Sequence, residues 1–142
     1  MTSMQVRLSA ATLALLVTVA CGSSSSSNPA GPNDSNPAPN TPGITNATDD
    51  FQFNLPNVTG YSTNGGYTWK NTGTVARVTQ SSSISGGSGT LQIRDAGGRV
   101  VYSKGLNEGG TVNTDAGPSG DWRIDITPSG VTGTINFRVQ KN

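Results

Sequence analysis

The chain has 142 residues, of which 12% are charged and 32% apolar, with 19 glycines and no histidine. That length allows one ordinary domain, and the excess of glycine over charge argues for short strands and turns rather than helices. Formal net charge is +1, and beyond Arg7 the eight remaining Lys/Arg (9 − 1 = 8) balance the eight Asp/Glu, so there is no electrostatic footprint for nucleic acid or an anionic surface.

Residues 1–20 read as a targeting segment. Arg7 supplies a short basic start, and Leu8 to Ala20 (LSAATLALLVTVA) is uncharged and apolar. As a helix rising about 1.5 Å per residue this run reaches roughly 20 Å, short of the ~30 Å hydrocarbon core, which suits a signal peptide rather than a membrane span. Thr18-Val19-Ala20-Cys21 then resembles the bacterial lipobox, with Thr18 standing where that family usually has Leu. The resemblance implies cleavage between Ala20 and Cys21 and acyl chains such as palmitate on the new N-terminal cysteine. The chemistry needs a thiol, because the thiolate is the nucleophile that becomes the thioether. Cys21 is the one cysteine of the chain, so no intramolecular disulfide can form. Gly22 follows where an inner-membrane retention signal has Asp, and by resemblance to lipoprotein sorting this implies the outer membrane of the bacterial envelope.

From Cys21 to residue 50 the chain reads as a lipidated cysteine and a Ser/Pro/Asn-rich linker. Ile44 is its one sizeable aliphatic residue, too little apolar surface to offset ordering entropy, so disorder is expected. Asn46-Ala-Thr48 and Asn57-Val-Thr59 match a glycosylation sequon but carry little weight in a chain this rich in Asn and Thr.

Residues 51–142 carry the period of two expected of half-buried strands. Phe51 to Leu55 alternates, as does Tyr67 to Lys70 after the turn signal Asn64-Gly65-Gly66. Val75 to Gln80 fits with Ala76 and Val78 inward. Leu91 to Arg94 passes through Asp95-Ala-Gly-Gly98 into Arg99 to Tyr102, a hairpin pattern, and Thr111 to Thr114 is a short further candidate. Trp122, Ile124 and Ile126 share one face of the next strand; Pro128-Ser129-Gly130 reads as a break, after which Ile135, Phe137 and Val139 face inward. Seven or eight strands at this spacing predict an all-β, small antiparallel β-sandwich of jelly-roll or Ig-like type. Its expected core holds Phe53, Trp69, Leu91, Ile93, Trp122, Ile124, Ile135, Phe137 and Val139.

The run from Ser88 to Val139 resembles the jelly-roll domains appended to secreted bacterial proteins, such as pre-peptidase C-terminal domains. Gly120, Trp122, Ile124, Gly133, Ile135 and Phe137 hold the places of that family's Gly-x-aromatic-x-aliphatic strand, Gly turn and final strand. The resemblance implies a non-catalytic accessory domain, occasionally one that binds polysaccharide.

Without histidine, and with its cysteine committed to lipid, the chain has no means for Ser-His or Cys-His catalysis or the common zinc sites. Gly86 to Gly89 lacks the Lys and helix of a phosphate loop. Asp121 and Asp125 lie four residues apart on one strand face, about 13 Å at ~3.3 Å per residue, beyond the ~6.5–9.5 Å of an inverting glycosidase; they read as solvated charges balancing Arg123 and Arg138. Asp49, Asp50, Asp95 and Asp115 could gather calcium but share no ligand-spaced run. No enzyme, cofactor or metal is expected. Trp69 and Trp122 read as core, leaving Tyr61 and Tyr67 as candidates for ligand binding. The expected function is a membrane-anchored envelope lipoprotein presenting a non-catalytic interaction module to other envelope proteins. The alternative is a carbohydrate-binding module for a cell-wall or surface polysaccharide.

Overall fold

The computed structural model describes residues 40–142; the expected signal segment, the expected cleavage and lipidation positions Ala20 and Cys21, and the expected linker as far as residue 39 lie outside the described residues. Every regular element described is a β-strand: β1 (Gly43–Ala47), β2 (Asp50–Tyr61), β3 (Gly65–Asn71), β4 (Ala76–Gln80), β5 (Ser83–Arg94), β6 (Val100–Gly105), β7 (Gly110–Asn113) and β8 (Gly120–Lys141). All pairings are antiparallel.

The long strand β8 organises the sandwich. Its first half pairs with β3 on one side and with the second half of β5 on the other, and β5 pairs in turn with β6. Its second half pairs with β2 on one side and with β4 and the start of β5 on the other; β1 and β7 are the outer strands of this layer. Two layers therefore share β5 and β8, which bend from one into the other, the arrangement by which sandwich corners are made.

Burial along β8 records the bend. Trp122, Ile124 and Ile126 are buried at even positions, whereas Val131, Ile135, Phe137 and Val139 are buried at odd ones. The parity changes across Ser129-Gly130, where Gly130 has φ 61°. The expected break at Pro128-Ser129-Gly130 is thus corrected: one strand of 22 residues runs through it. The left-handed glycine absorbs the extra residue of a bulge without ending the ladder. Gly133, at φ 130°, is required by close approach, because a Cβ there would overlap the Ser83 carbonyl of β5.

All nine residues of the expected core are buried, together with Phe51, Leu55, Val58, Ala76, Val78, Leu106, Ile126 and Val131 among others. Rings meet there both between the layers, Phe51 and Phe53 against Tyr67, and within one, where Trp69 and Trp122 are cross-strand partners. Phe51 and Phe53 of β2 lie 5.4 and 6.2 Å from the Tyr67 ring of β3, and Trp69 meets Trp122 edge-on at 6.0 Å.

The expected linker boundary at residue 50 is also corrected. Gly43–Ala47 forms β1, hydrogen-bonded along β2 from Gly43↔Asn54 to Ala47↔Asp50. Every residue of β1 is exposed, so it has no inward alternation to read in the sequence. Likewise β5 begins at Ser83 rather than Leu91, with Gly86 and Gly87 at register shifts that bend it.

Candidate functional site

Cys21 and Ala20, the predicted anchor and cleavage positions, lie outside the described residues. Within the fold, the candidate ligand residues Tyr61 and Tyr67 come together at one seam. The seam separates the edge of β2 from the edge of β3, which belong to different layers. Along half its length β1 closes it: the Asn46 side-chain nitrogen donates to Thr68 O at 2.9 Å, Trp69 Nε1 donates to Ala47 O at 3.1 Å, and Asp49 N donates to Lys70 O at 2.8 Å. Beyond Gly43 the ladder stops, since the next opposed positions carry Pro42 and Pro56, which lack an amide hydrogen at or beside the would-be pair.

There the two tyrosines take over. Both are half-buried and pack against the core, and the Tyr67 hydroxyl is pushed above its ordinary range, first by burial and then by the neighbouring Tyr61. The loop between β2 and β3 is tied down beside them: Thr63 N donates to Pro128 O at 3.2 Å and Gly130 N donates to Ser62 Oγ at 2.8 Å. The six other aromatic rings among the described residues, Phe51, Phe53, Trp69, Tyr102, Trp122 and Phe137, are buried. The tyrosines thus plug a seam rather than form a flat exposed row on which a sugar ring could stack.

Asp49, Asp50, Asp95, Glu108, Asp115 and Asp125 are each engaged by a cation or a backbone amide. Arg138 Nε and Nη2 donate to Asp50 at 2.8 and 2.6 Å, a bidentate pair that holds the Asp50 carboxyl below its usual range. Asp49 accepts from Thr72 N and Thr72 Oγ1, both at 2.7 Å, and lies 3.1 Å from Lys141 Nζ; the Thr72 hydrogen bonds are the main reason its pKa is lowered. Asp125 is paired with Arg123 at 2.6 Å and Arg94 at 3.6 Å. Arg138 therefore balances Asp50, not Asp121 or Asp125 as expected. Buried Asp95 accepts from Gly97 N and Arg99 N at 2.9 and 3.0 Å, while Arg99 also reaches Asp115 at 3.8 Å. Among the described residues no three acidic side chains cluster as a metal site.

Two groups escaped the sequence reading. Gln80, buried, donates to Gly105 O and Glu108 O and accepts from the Tyr102 hydroxyl at 2.9 Å. The Asp49–Asp50 pair clasps the far end of the chain, Arg138 and Lys141. Neither has a local signal, because the partners lie 22 to 92 residues away (141 − 49 = 92).

No family model and no curated protein matches this chain. Among solved structures it is similar to a chain in the crystal structure of accessory secretory protein 1, 2 and 3 in Streptococcus pneumoniae, at 10% identity and a TM-score of 0.36 over 71% of this chain and 85% of that one. A likeness of that size carries no argument.

Proposed function

We propose that the chain is the precursor of a bacterial lipoprotein, cut between Ala20 and Cys21, acylated on Cys21 and held at the cell envelope, with Gly22 directing it to the outer membrane. The single observation that carries this is the order Arg7, apolar Leu8 to Ala20, Thr18-Val19-Ala20-Cys21, then polar sequence to Pro42. The fold is compatible with being held from its N-terminal side, since it begins in an exposed outer strand and nothing need be threaded through the core. On this reading the sandwich is a non-catalytic module presented to other envelope proteins. Each buried methylene contributes about 0.8 kcal/mol, so one acyl chain holds marginally and two or more hold stably.

The test is palmitate labelling with membrane fractionation. Wild type should take up label and sediment with membranes, and Cys21→Ser should take up none. Label on the Cys21→Ser chain, or an unlabelled soluble wild type, would overturn the proposal.

A further inference from the structure

We propose that β1 is an exchangeable strand, and that two copies of this chain associate by each placing its β1 on the other's β2–β3 seam.

The hinge is Asp49. Ala47 and Asp50 are paired, so two residues, Thr48 and Asp49, turn the hairpin. The turns that match strand twist, types I′ and II′, need a positive φ at the first of those residues. Here the first is β-branched Thr48, and the positive φ, 67°, falls on Asp49 instead. Aspartate visits this region more readily than most residues but still at some strain, and short strained hinges invite strand exchange.

What stays fixed when the hinge opens follows from covalent geometry. Rotation about the N–Cα bond of Asp49 swings Thr48 and everything before it. The Cα, Cβ, carboxylate and carbonyl remain in place. The carboxylate bonds to Thr72 and Lys141 therefore survive opening, as does the bond from Lys141 N to Asp49 O at 3.0 Å. Of the hinge's own bonds only the one donated by its amide to Lys70 O is released. The acidic clasp acts as a fixed pivot on which β1 turns.

Nothing in β1 resists departure from within, because all five of its side chains are exposed. Its bonds are a backbone ladder to β2, one donated by Asn46 and one accepted by Ala47 from Trp69. An opened monomer leaves the β2 edge and the Trp69 indole N–H without these partners. A second copy's β1 restores every one of them in the same register, so reciprocal exchange is favoured over simple opening.

The test uses the full chain with Cys21→Ser, so that Thr45→Cys and Gln52→Cys, which face each other across β1 and β2, carry the only thiols. Concentrated protein is separated by size, and each fraction is oxidised and run without reductant. The dimer fraction should yield disulfides joining two chains, and the monomer fraction disulfides within one. Deleting Thr48 leaves one residue between paired strands, so β1 can no longer fold back, and the dimer fraction should rise at least tenfold while near-ultraviolet tryptophan dichroism stays native. Dimers whose disulfides lie within each chain would overturn the proposal, as would a chain monomeric at every concentration, or a folded Thr48-deleted chain that remains monomeric.

Discussion

Tyr102 shows how burial of one hydroxyl sets the alkaline limb of the pH behaviour of an apolar fold. Burial pushes the Tyr102 hydroxyl from 10.0 up to about 12, since a phenolate there would lose its hydration. A raised folded pKa means that stability is full below the unfolded value and is lost as pH rises through the folded one. Unfolding free energy should therefore fall between about pH 10 and pH 12, and Tyr102→Phe should make that fall shallower in denaturant titrations. At neutral pH the same variant should cost about 1–3 kcal/mol, because the Gln80 side-chain oxygen loses its donor. The acid limb has the opposite sign. Asp49 and Asp50 are held below the ordinary 3.8, so their contribution is present above that value and lost as pH falls beneath it. Asp50→Asn should flatten the acid limb of a melting-temperature profile without altering the alkaline one. The Asp50–Arg138 pair joins residues 88 apart, which is why the sequence announced Trp122 and Phe137 as core but did not reveal that Arg138 belongs to Asp50.

Among the elements, alternation was legible wherever one face is buried and silent wherever it is not. Trp122-Arg123-Ile124-Asp125-Ile126 declares its inward face, and so does Ile135 to Val139. The first half of β5, Ser83 to Thr90, is Ser/Gly-rich and mostly exposed or half-buried, and β1 buries nothing, so neither carries a pattern of apolar residues. Pro128-Ser129-Gly130 misleads for a different reason: the signal for a turn and for a bulged corner is the same, and only the partner strands β3, β2 and β5 show that the ladder continues. The corner makes its own prediction. Gly133 combines φ 130° with a Cβ direction that runs into the Ser83 carbonyl, a backbone atom that cannot rotate away. Gly133→Ala should destabilise by more than about 3 kcal/mol through strain and displaced strand pairing, whereas Gly98→Ala, with φ 83° but open space around it, should cost about 1–2 kcal/mol from backbone strain alone. Similar chemical-denaturation midpoints for the two variants would contradict this account of the bend.

At the scale of the molecule, the change from linker-like to strand-forming sequence is legible in composition, but the point at which the fold begins is not. Linker-like residues 43–47 are part of the sandwich because a backbone ladder, with one bond from the Asn46 side chain, holds them there rather than apolar burial. Among the described residues the large exposed apolar side chains are Ile44, Val100 and Val112, one each on β1, β6 and β7; such isolated positions need no partner to explain them. The folded unit should then be independent of what precedes it and dependent on β1. A chain begun at Thr41 should melt where the full chain melts, since the ladder begins at Gly43. A chain begun at Asp50 loses the ladder to β2 and the bond from Trp69 Nε1 to Ala47 O. At roughly 0.5–1.5 kcal/mol net per hydrogen bond, and the low end of that range for an exposed strand, the loss is on the order of 2–4 kcal/mol. Because Asp49 goes with it, the Thr72 and Lys141 contacts are lost as well, and adding back a peptide of residues 41–49 should recover part of the stability at high peptide concentration. Equal melting temperatures for chains begun at Thr41 and Asp50 would place β1 outside the cooperative unit; a lower one that the peptide restores would place it inside, as a strand that need not be covalently attached to do its work.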